Sequence, residues 1–247
     1  MNKRKATIFL LQVSALFLLF FNNNLQAQSL TAKYVSTTGN SNGYYEYLPQ
    51  GYASSSQTFP LIIFVEGIGE LGDGSTGQLP KLLANGPLFY INAGQFPSSF
   101  TVNGKTSSFI IITPQYKAWP GAGDVDAVIT YAIQHYKVDV SRIYLTGISM
   151  GGGVVWDYAG NNINYANRIA ALLPFCGASG ASTTKARNIA AANLPVWAFH
   201  NQYDPEVPAS YTQNWISQIN QAPAPNPLAR QTIFNVGGHD AWSPAYY

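Results

Sequence analysis

The sequence has 247 residues, of which 10% are charged and 14% are aromatic, and its formal net charge is +2. So few charges exclude the basic surface that a nucleic-acid-binding domain needs, while the length is sufficient for one large domain with a full core. The many uncharged polar residues favour a protein that works outside the cytoplasm.

The N-terminal segment is typical of a secretory signal peptide. Basic residues 3–5 precede an apolar run over residues 8–21, and Ala27 offers a small residue for cleavage. We expect residues 1–27 to be removed, which leaves residues 28–247 nearly neutral and secreted or periplasmic. Neither nucleic acid nor a stable membrane contact is then expected. The alternative is an uncleaved membrane anchor, although the apolar run is shorter than a usual span.

Strand and helix patterns alternate along the mature chain. Residues 44–48 alternate like an edge strand, and residues 59–65 form the apolar run of a central parallel strand, followed by a glycine-rich loop at residues 66–74. Further strands are predicted at residues 108–113, 142–146, 169–175, 195–200 and 230–235, and helices at residues 79–85, 123–137, 154–159, 184–192 and 209–220. Such alternation predicts a single three-layer α/β/α sandwich with a mostly parallel central sheet.

One short stretch indicates chemistry. Gly147-x-Ser149-x-Gly151 lies between a predicted strand and a predicted helix. A strand that turns directly into a helix strains the serine backbone, and glycines allow the neighbouring backbones to approach. Ser149 is therefore predicted to be a nucleophile at the carboxyl end of a strand, with the free N–H groups of a helix start beside it. The alternative from the motif alone is an ordinary glycine-rich turn.

A serine nucleophile needs a base and a group that orients the base. Asp204 follows the predicted strand at residues 195–200, and His239 follows the predicted strand at residues 230–235. The order serine, acid, histidine is the one this sheet topology uses, and all three would stand at carboxyl ends of parallel strands. Ser149, Asp204 and His239 are therefore the predicted catalytic triad.

Other residues are weaker candidates for these roles. Glu206 and Asp240 are alternative acids, but Asp240 is too close in sequence to His239 to orient its ring easily. His200 ends a strand, where it either lines the site or is a satisfied structural histidine. Cys176, the single cysteine, is expected to be buried and inert. The scattered histidines indicate no metal site.

The oxyanion formed in such a reaction needs two N–H donors. Met150, directly after the nucleophile, supplies one by geometry. The loop after the strand at residues 59–65 should supply the other, and Ile68 is the candidate.

With these motifs the chain resembles the α/β-hydrolases of the secreted carboxylesterase and dienelactone-hydrolase-like kind, which are related to feruloyl and acetyl xylan esterases and to polyester depolymerase-like proteins. The resemblance extends from Tyr44 to Trp242 and rests on Gly67-Ile-Gly-Glu70, Pro114-Gln115, residues 142–153, Asp204 with Val207-Pro208, and Gly238-His-Asp-Ala-Trp242. It implies the same triad and oxyanion donors, and no cofactor. The sequence ends eight residues after His239, so we expect a truncated last helix or a further module.

Two residues depart from the family pattern. Glu66 stands where such enzymes usually have histidine, and Leu71 where arginine is common. A carboxylate at position 66 should weaken catalysis unless it is protonated, turned away or paired. Together with Glu66, the substrate-pocket candidates are Trp119, His200 and Trp242.

Two functions from different classes follow. The first is a secreted serine esterase that acts through an acyl-enzyme on acyl or feruloyl esters, such as those on plant polysaccharides. The second is a catalytically weak or inactive module of the same fold that binds carbohydrate or polymer through exposed aromatic residues such as Trp119, Trp242 and Tyr246. A serine peptidase on the same fold is a third hypothesis.

Overall fold

The computed structural model describes residues 29–246, so the expected signal peptide lies outside the described residues. The strands are β1 (Ser29–Lys33), β2 (Gly43–Leu48), β3 (Phe59–Val65), β4 (Phe100–Val102), β5 (Lys105–Ser107), β6 (Ile110–Gln115), β7 (Val138–Ile148), β8 (Ala171–Phe175), β9 (Trp197–Tyr203) and β10 (Arg230–Gly237). The α-helices are α1 (Gly86–Asn92), α2 (Ala122–His135), α3 (Met150–Asn161), α4 (Ile163–Ala166), α5 (Thr183–Ala191), α6 (Ser210–Ile219) and α7 (Ser243–Tyr246), and 3-10 helices span Ile68–Glu70 and Leu79–Ala84. Within residues 29–246 no helix has the length and apolar character needed to cross a bilayer.

Eight strands form one sheet in the order β1-β2-β6-β3-β7-β8-β9-β10. The strands from β6 to β10 in this order run parallel, and β2 joins β6 antiparallel with β1 outside it. The carboxyl ends of the parallel strands therefore lie along one edge of the sheet, where ligand crevices form in open α/β folds. The predicted α/β sandwich with a mostly parallel sheet is confirmed.

The side chains of successive residues in β3 point to opposite faces of the sheet. Leu61, Ile63 and Val65 join the larger core, to which helices α2 to α6 contribute. Phe64 joins a smaller cluster with Ile148, Phe175 and Phe199, and residues of α7 pack against it. Helix α3 packs on the face of the sheet that carries the larger core. There its Trp156 ring stacks on Trp215 of α6, with centroids 4.8 Å apart.

Several predicted elements differ in detail. Residues 44–48 are not an edge strand, because β1 pairs outside them. Pro114 does not end its strand, because β6 continues to Gln115. The residue opposite Pro114 is Tyr44 of the antiparallel strand β2. The predicted helix at residues 79–85 is a 3-10 helix followed by α1, which the sequence did not indicate. The β4–β5 hairpin was also missed.

Candidate active site

The nucleophile candidate sits on a strained turn between β7 and α3. Ser149 has φ 53° and ψ −116°, and such a positive φ costs free energy for a residue with a side chain. A Cβ added at Gly151 would lie 2.1 Å from the Val65 carbonyl oxygen, and one at Gly147 would lie 2.6 Å from Gly151 backbone atoms. Only glycine fits at both positions, so the turn requires the sequence pattern that encloses Ser149.

The same turn is tied to the end of β8. The Ser149 N–H donates to the Phe175 carbonyl oxygen at 2.9 Å, and the Ala178 N–H donates to the Ser149 carbonyl oxygen at 3.0 Å. The residue after Phe175, Cys176, also has a positive φ of 45°. Its thiol donates to the His239 carbonyl oxygen at 3.0 Å. The end of β8 therefore contacts both the serine turn and the histidine loop.

Asp204 follows β9, and its side chain is fully buried. Oδ1 accepts from the Glu206 and Val207 N–H groups at 2.8 and 3.0 Å. Oδ2 accepts from His239 Nδ1 at 2.6 Å. Burial alone would raise the pKa of Asp204, but hydrogen bonds from Val207, His239 and Glu206 outweigh it and lower the pKa. The carboxylate is thus ionised and held in one orientation by both of its oxygens.

His239 follows β10, and the bond to Asp204 defines its tautomer. Because the carboxylate can only accept, Nδ1 carries the proton, and in the neutral ring Nε2 then has the free lone pair. Nε2 is buried and has no hydrogen-bond partner among the described residues, Ser149 included. The Trp242 ring stands edge-on to the imidazole, with centroids 5.5 Å apart and planes at 88°. The imidazole is therefore a preoriented proton acceptor whose accepting atom is unused.

His200 does not line a pocket, so that prediction is wrong. It is fully buried, with Nε2 2.9 Å from the Val207 carbonyl oxygen and 3.4 Å from Asp204 Oδ2. Both neighbours accept, so Nε2 carries the proton and Nδ1 accepts from the Thr212 hydroxyl at 2.8 Å. Burial lowers the pKa of His200, so the ring is a neutral support behind the acid. These contacts favour the alternative, a structural histidine whose two ring nitrogens are both hydrogen-bonded.

Three potential metal ligands lie together here. Ligand atoms of Cys176, Asp204 and His239 lie within 4.8 Å of one another. The Asp204 carboxylate already accepts a hydrogen bond from His239 Nδ1, with 2.6 Å between Oδ2 and Nδ1. Burial raises the pKa of the Cys176 thiol to about 12. A protonated thiol is a poor ligand, so the group suits proton transfer better than metal binding.

The oxyanion candidates are first residues of helices. Met150 begins α3 and Ile68 begins a 3-10 helix, so neither N–H has a partner within its own helix. The two segments are close, because β3 and β7 are paired with Val65 opposite Gly147. Their N–H groups are therefore available beside the serine turn. The Met150 side chain is buried, whereas that of Ile68 is 60% exposed.

Glu66 is fully buried, so the prediction that it lines the pocket is wrong. Its Oε1 turns towards β6 and accepts from the Tyr116 N–H at 2.6 Å, while Oε2 has no partner among residues 29–246. Burial is the main cause that raises its pKa to about 8, and the nearby Glu70 adds to the rise. At neutral pH the side chain is therefore mostly uncharged, which removes the expected conflict with a developing oxyanion.

The two tryptophan candidates differ in their surroundings. Trp119 is 50% exposed on the loop after β6. Asn40 anchors that loop, since its amide bonds to both the N–H and the carbonyl oxygen of Ala118. Trp242 is partly buried, and its indole N–H donates to Asn85 Oδ1 at 3.1 Å. Trp119 therefore offers an exposed ring on an anchored loop, whereas Trp242 supports His239.

Sequence reasoning missed the polar residues that support the loop of the oxyanion candidate Ile68. Gln115 is buried, and its Nε2 donates to the Glu70 carbonyl oxygen at 2.8 Å, while its Oε1 accepts from the Gly74 N–H at 3.0 Å. Asn85 Nδ2 donates to the Glu70 carboxylate. The Gly-x-Gly-Glu and Pro-Gln motifs were visible in the sequence, but no spacing rule pairs them with Asn85.

Part of the chain matches a known protein family. Residues 114–230 match the dienelactone hydrolase family, which confirms the resemblance seen in the sequence motifs. The match contains the serine turn and Asp204 and ends before His239. No curated protein matches the sequence.

Solved structures share the fold at low identity. A thermostable esterase matches with a TM-score of 0.62 and 21% identity over 90% of this chain and 60% of the esterase, so the chain spans less than two thirds of that protein. The feruloyl esterase module from Clostridium thermocellum, complexed with sinapinate, matches with a TM-score of 0.62 and 17% identity over 90% of this chain and 85% of the module. A dienelactone hydrolase-like protein from Klebsiella pneumoniae matches with a TM-score of 0.58 and 16% identity over 89% of this chain and 90% of that protein. At these identities the solved structures show the fold that this chain shares with them, an α/β fold with a mostly parallel sheet.

Proposed function

We propose that this chain, whose residues 114–230 match the dienelactone hydrolase family, is a serine esterase that works through an acyl-enzyme. The observation that carries the proposal is the Asp204–His239 pair, with Nδ1 and Oδ2 2.6 Å apart and Nε2 unused. Through Cys176 this pair is joined to the strand end that also holds the Ser149 turn.

In the proposed mechanism the Ser149 hydroxyl attacks the ester carbonyl carbon while His239 Nε2 takes its proton. The negative charge that develops on the carbonyl oxygen is stabilised by the N–H groups of Met150 and Ile68. His239 then passes the proton to the leaving alcohol, and an acyl-serine ester remains. Asp204 stabilises the imidazolium and does not itself take a proton. Water, activated by His239, releases the acid and restores Ser149.

The proposed substrate is a neutral ester, such as an acyl or feruloyl ester on a plant polysaccharide. Support comes from Trp119, an exposed ring on an anchored loop at the same edge of the sheet as Ser149. A flat aromatic or sugar ring can stack on such a surface at little entropic cost. We also propose that residues 1–27 direct export and are then removed, because their composition is that of a signal peptide.

The first test is hydrolysis of p-nitrophenyl acetate and butyrate by the wild type, Ser149→Ala and Ser217→Ala. Ser217 lies exposed on α6 and is the matched control. We expect Ser149→Ala to lower kcat by at least about 10³-fold and Ser217→Ala to leave it unchanged. A fluorophosphonate probe should label Ser149 alone. Equal rates for wild type and Ser149→Ala would refute the proposal.

A binding module without turnover is the second candidate, and the exposure of Trp119 is the observation that favours it. Wild-type protein that sediments with xylan, binds less after Trp119→Ala, and hydrolyses no ester would support it. Within the esterase proposal, Glu66→His restores the usual family residue and tests whether position 66 limits the rate. An increased rate would show that Glu66 limits catalysis, and an unchanged rate would show that it is incidental.

A further inference from the structure

The side chain of Asn85 connects two separate loops of the candidate site. Its Nδ2 donates to the Glu70 carboxylate, and its Oδ1 accepts from the Trp242 indole N–H at 3.1 Å. A carboxylate can only accept and an indole N–H can only donate, so the two contacts fix the orientation of the amide. Asn85 thus bridges the two loops in one orientation, with its amide nitrogen towards Glu70 and its amide oxygen towards Trp242.

Each end of the bridge reaches a group of the proposed mechanism. Glu70 is the last residue of the 3-10 helix that begins with Ile68, the oxyanion candidate. Glu70 is largely buried, and its carbonyl oxygen is held from β6 by Gln115. At the other end, the Trp242 ring lies edge-on to His239 at 5.5 Å. A displacement of Asn85 would therefore reach both the oxyanion loop and the base.

The position of Asn85 before a helix predicts a capping role, but its side chain does not cap the helix. Asn85 occupies the N-cap position of α1, where an asparagine side chain usually accepts a hydrogen bond from the N–H groups of the first turn. Here the side chain makes no capping bond, although the backbone has the extended conformation of a cap. The amide is used for contacts distant in sequence instead of for its own helix.

We propose that Asn85 is a positioning residue, which holds the Ile68 loop and the His239 loop in a fixed relation across the reacting carbonyl. The inference rests on the proposed esterase function. The oxyanion donor and the base act on the same bond in the transition state, and displacements of about 1 Å in such groups cost about 100-fold in rate. The main effect of losing Asn85 should therefore be on kcat.

The central test removes and then reverses the hydrogen bond between Asn85 and Glu70 in folded, full-length protein. Asn85→Ala removes both contacts, and Asn85→Asp places a second carboxylate against Glu70. Either variant should lower kcat for p-nitrophenyl acetate by about 10- to 100-fold, with KM changed less than about threefold. The double variant Glu70→Gln with Asn85→Asp reverses the polarity of the bond, since the introduced glutamine amide can donate to the introduced carboxylate. This variant should recover most of the lost kcat.

Asn220→Ala is the matched control. The Asn220 amide also makes two hydrogen bonds, to the N–H and the carbonyl oxygen of Ala229. That contact lies at the start of β10, at the opposite edge of the sheet from His239. Loss of two bonds there should lower the thermal midpoint but leave kcat unchanged. Circular dichroism gives the folded fraction of each variant, by which the rates are corrected.

Trp242→Phe keeps the inference testable if Asn85→Ala does not fold. Phenylalanine keeps a ring against His239 but cannot donate to Asn85, and we expect a smaller loss of kcat, about 3- to 10-fold. A folded Asn85→Ala or Trp242→Phe variant with wild-type kcat would overturn the inference and leave the Ser149-dependent function intact. A wild-type rate independent of Ser149 would refute the proposed function, and this inference with it.

Discussion

The buried carboxyl group of Glu66 makes the stability of the protein depend on pH in an unusual direction. Its pKa is about 8 in the folded chain, against 4.5 for an exposed glutamate. Between these values the folded state holds a proton that the unfolded state releases, so the free energy of unfolding falls as pH rises from 4.5 to 8. At 1.36 kcal/mol for each pKa unit, the full loss is about 5 kcal/mol, a large part of the stability of a typical domain.

Glu66→Gln removes this titration but keeps the shape of the side chain and an oxygen for the Tyr116 N–H. The variant and the wild type should be similar in stability near pH 4.5. At pH 9 the variant should be more stable by about 4 kcal/mol. Urea unfolding at pH 5, 7 and 9 measures the difference. Glu206→Gln, which changes an exposed carboxylate, controls for the loss of one charge. A Glu66→Gln difference that is the same at all three pH values would refute the reasoning.

Two further changes test the packing around the site. Gly151→Ala would place a Cβ 2.1 Å from the Val65 carbonyl oxygen and should cost about 3 kcal/mol or more in thermal or urea unfolding, whereas Gly123→Ala in α2, with nothing within 4 Å, should add about 0.5–1 kcal/mol. Equal effects of the two would contradict the close approach of β3 to the serine turn. Cys176 is fully buried with its thiol pKa raised to about 12, so Ellman's reagent should react only with unfolded protein; rapid labelling of native protein would show that the end of β8 opens.

Local sequence patterns were sufficient for seven of the eight strands of the main sheet, all except β1, and for the type of sheet. The apolar run at residues 59–65 matches β3 in both bounds, because a strand covered on both faces is apolar throughout. Glycine spacing likewise identified the turn at Ser149, since its close contacts exclude any Cβ. The patterns failed to predict which strand lies at the edge of the sheet. Residues 44–48 alternate like an edge strand, yet β1 pairs outside them.

By itself, the sequence determined which residue types stand after which strands, and hence that Ser149, Asp204 and His239 should meet at one edge of the sheet. Only the tertiary structure decided what surrounds them. It places His200 behind the acid, buries Glu66 in neutral form against β6, and joins Glu70 to Trp242 through Asn85. The physical reason is that burial and hydrogen bonding are set by residues far apart in the chain, whereas the strand and turn patterns that could be read from the sequence are local.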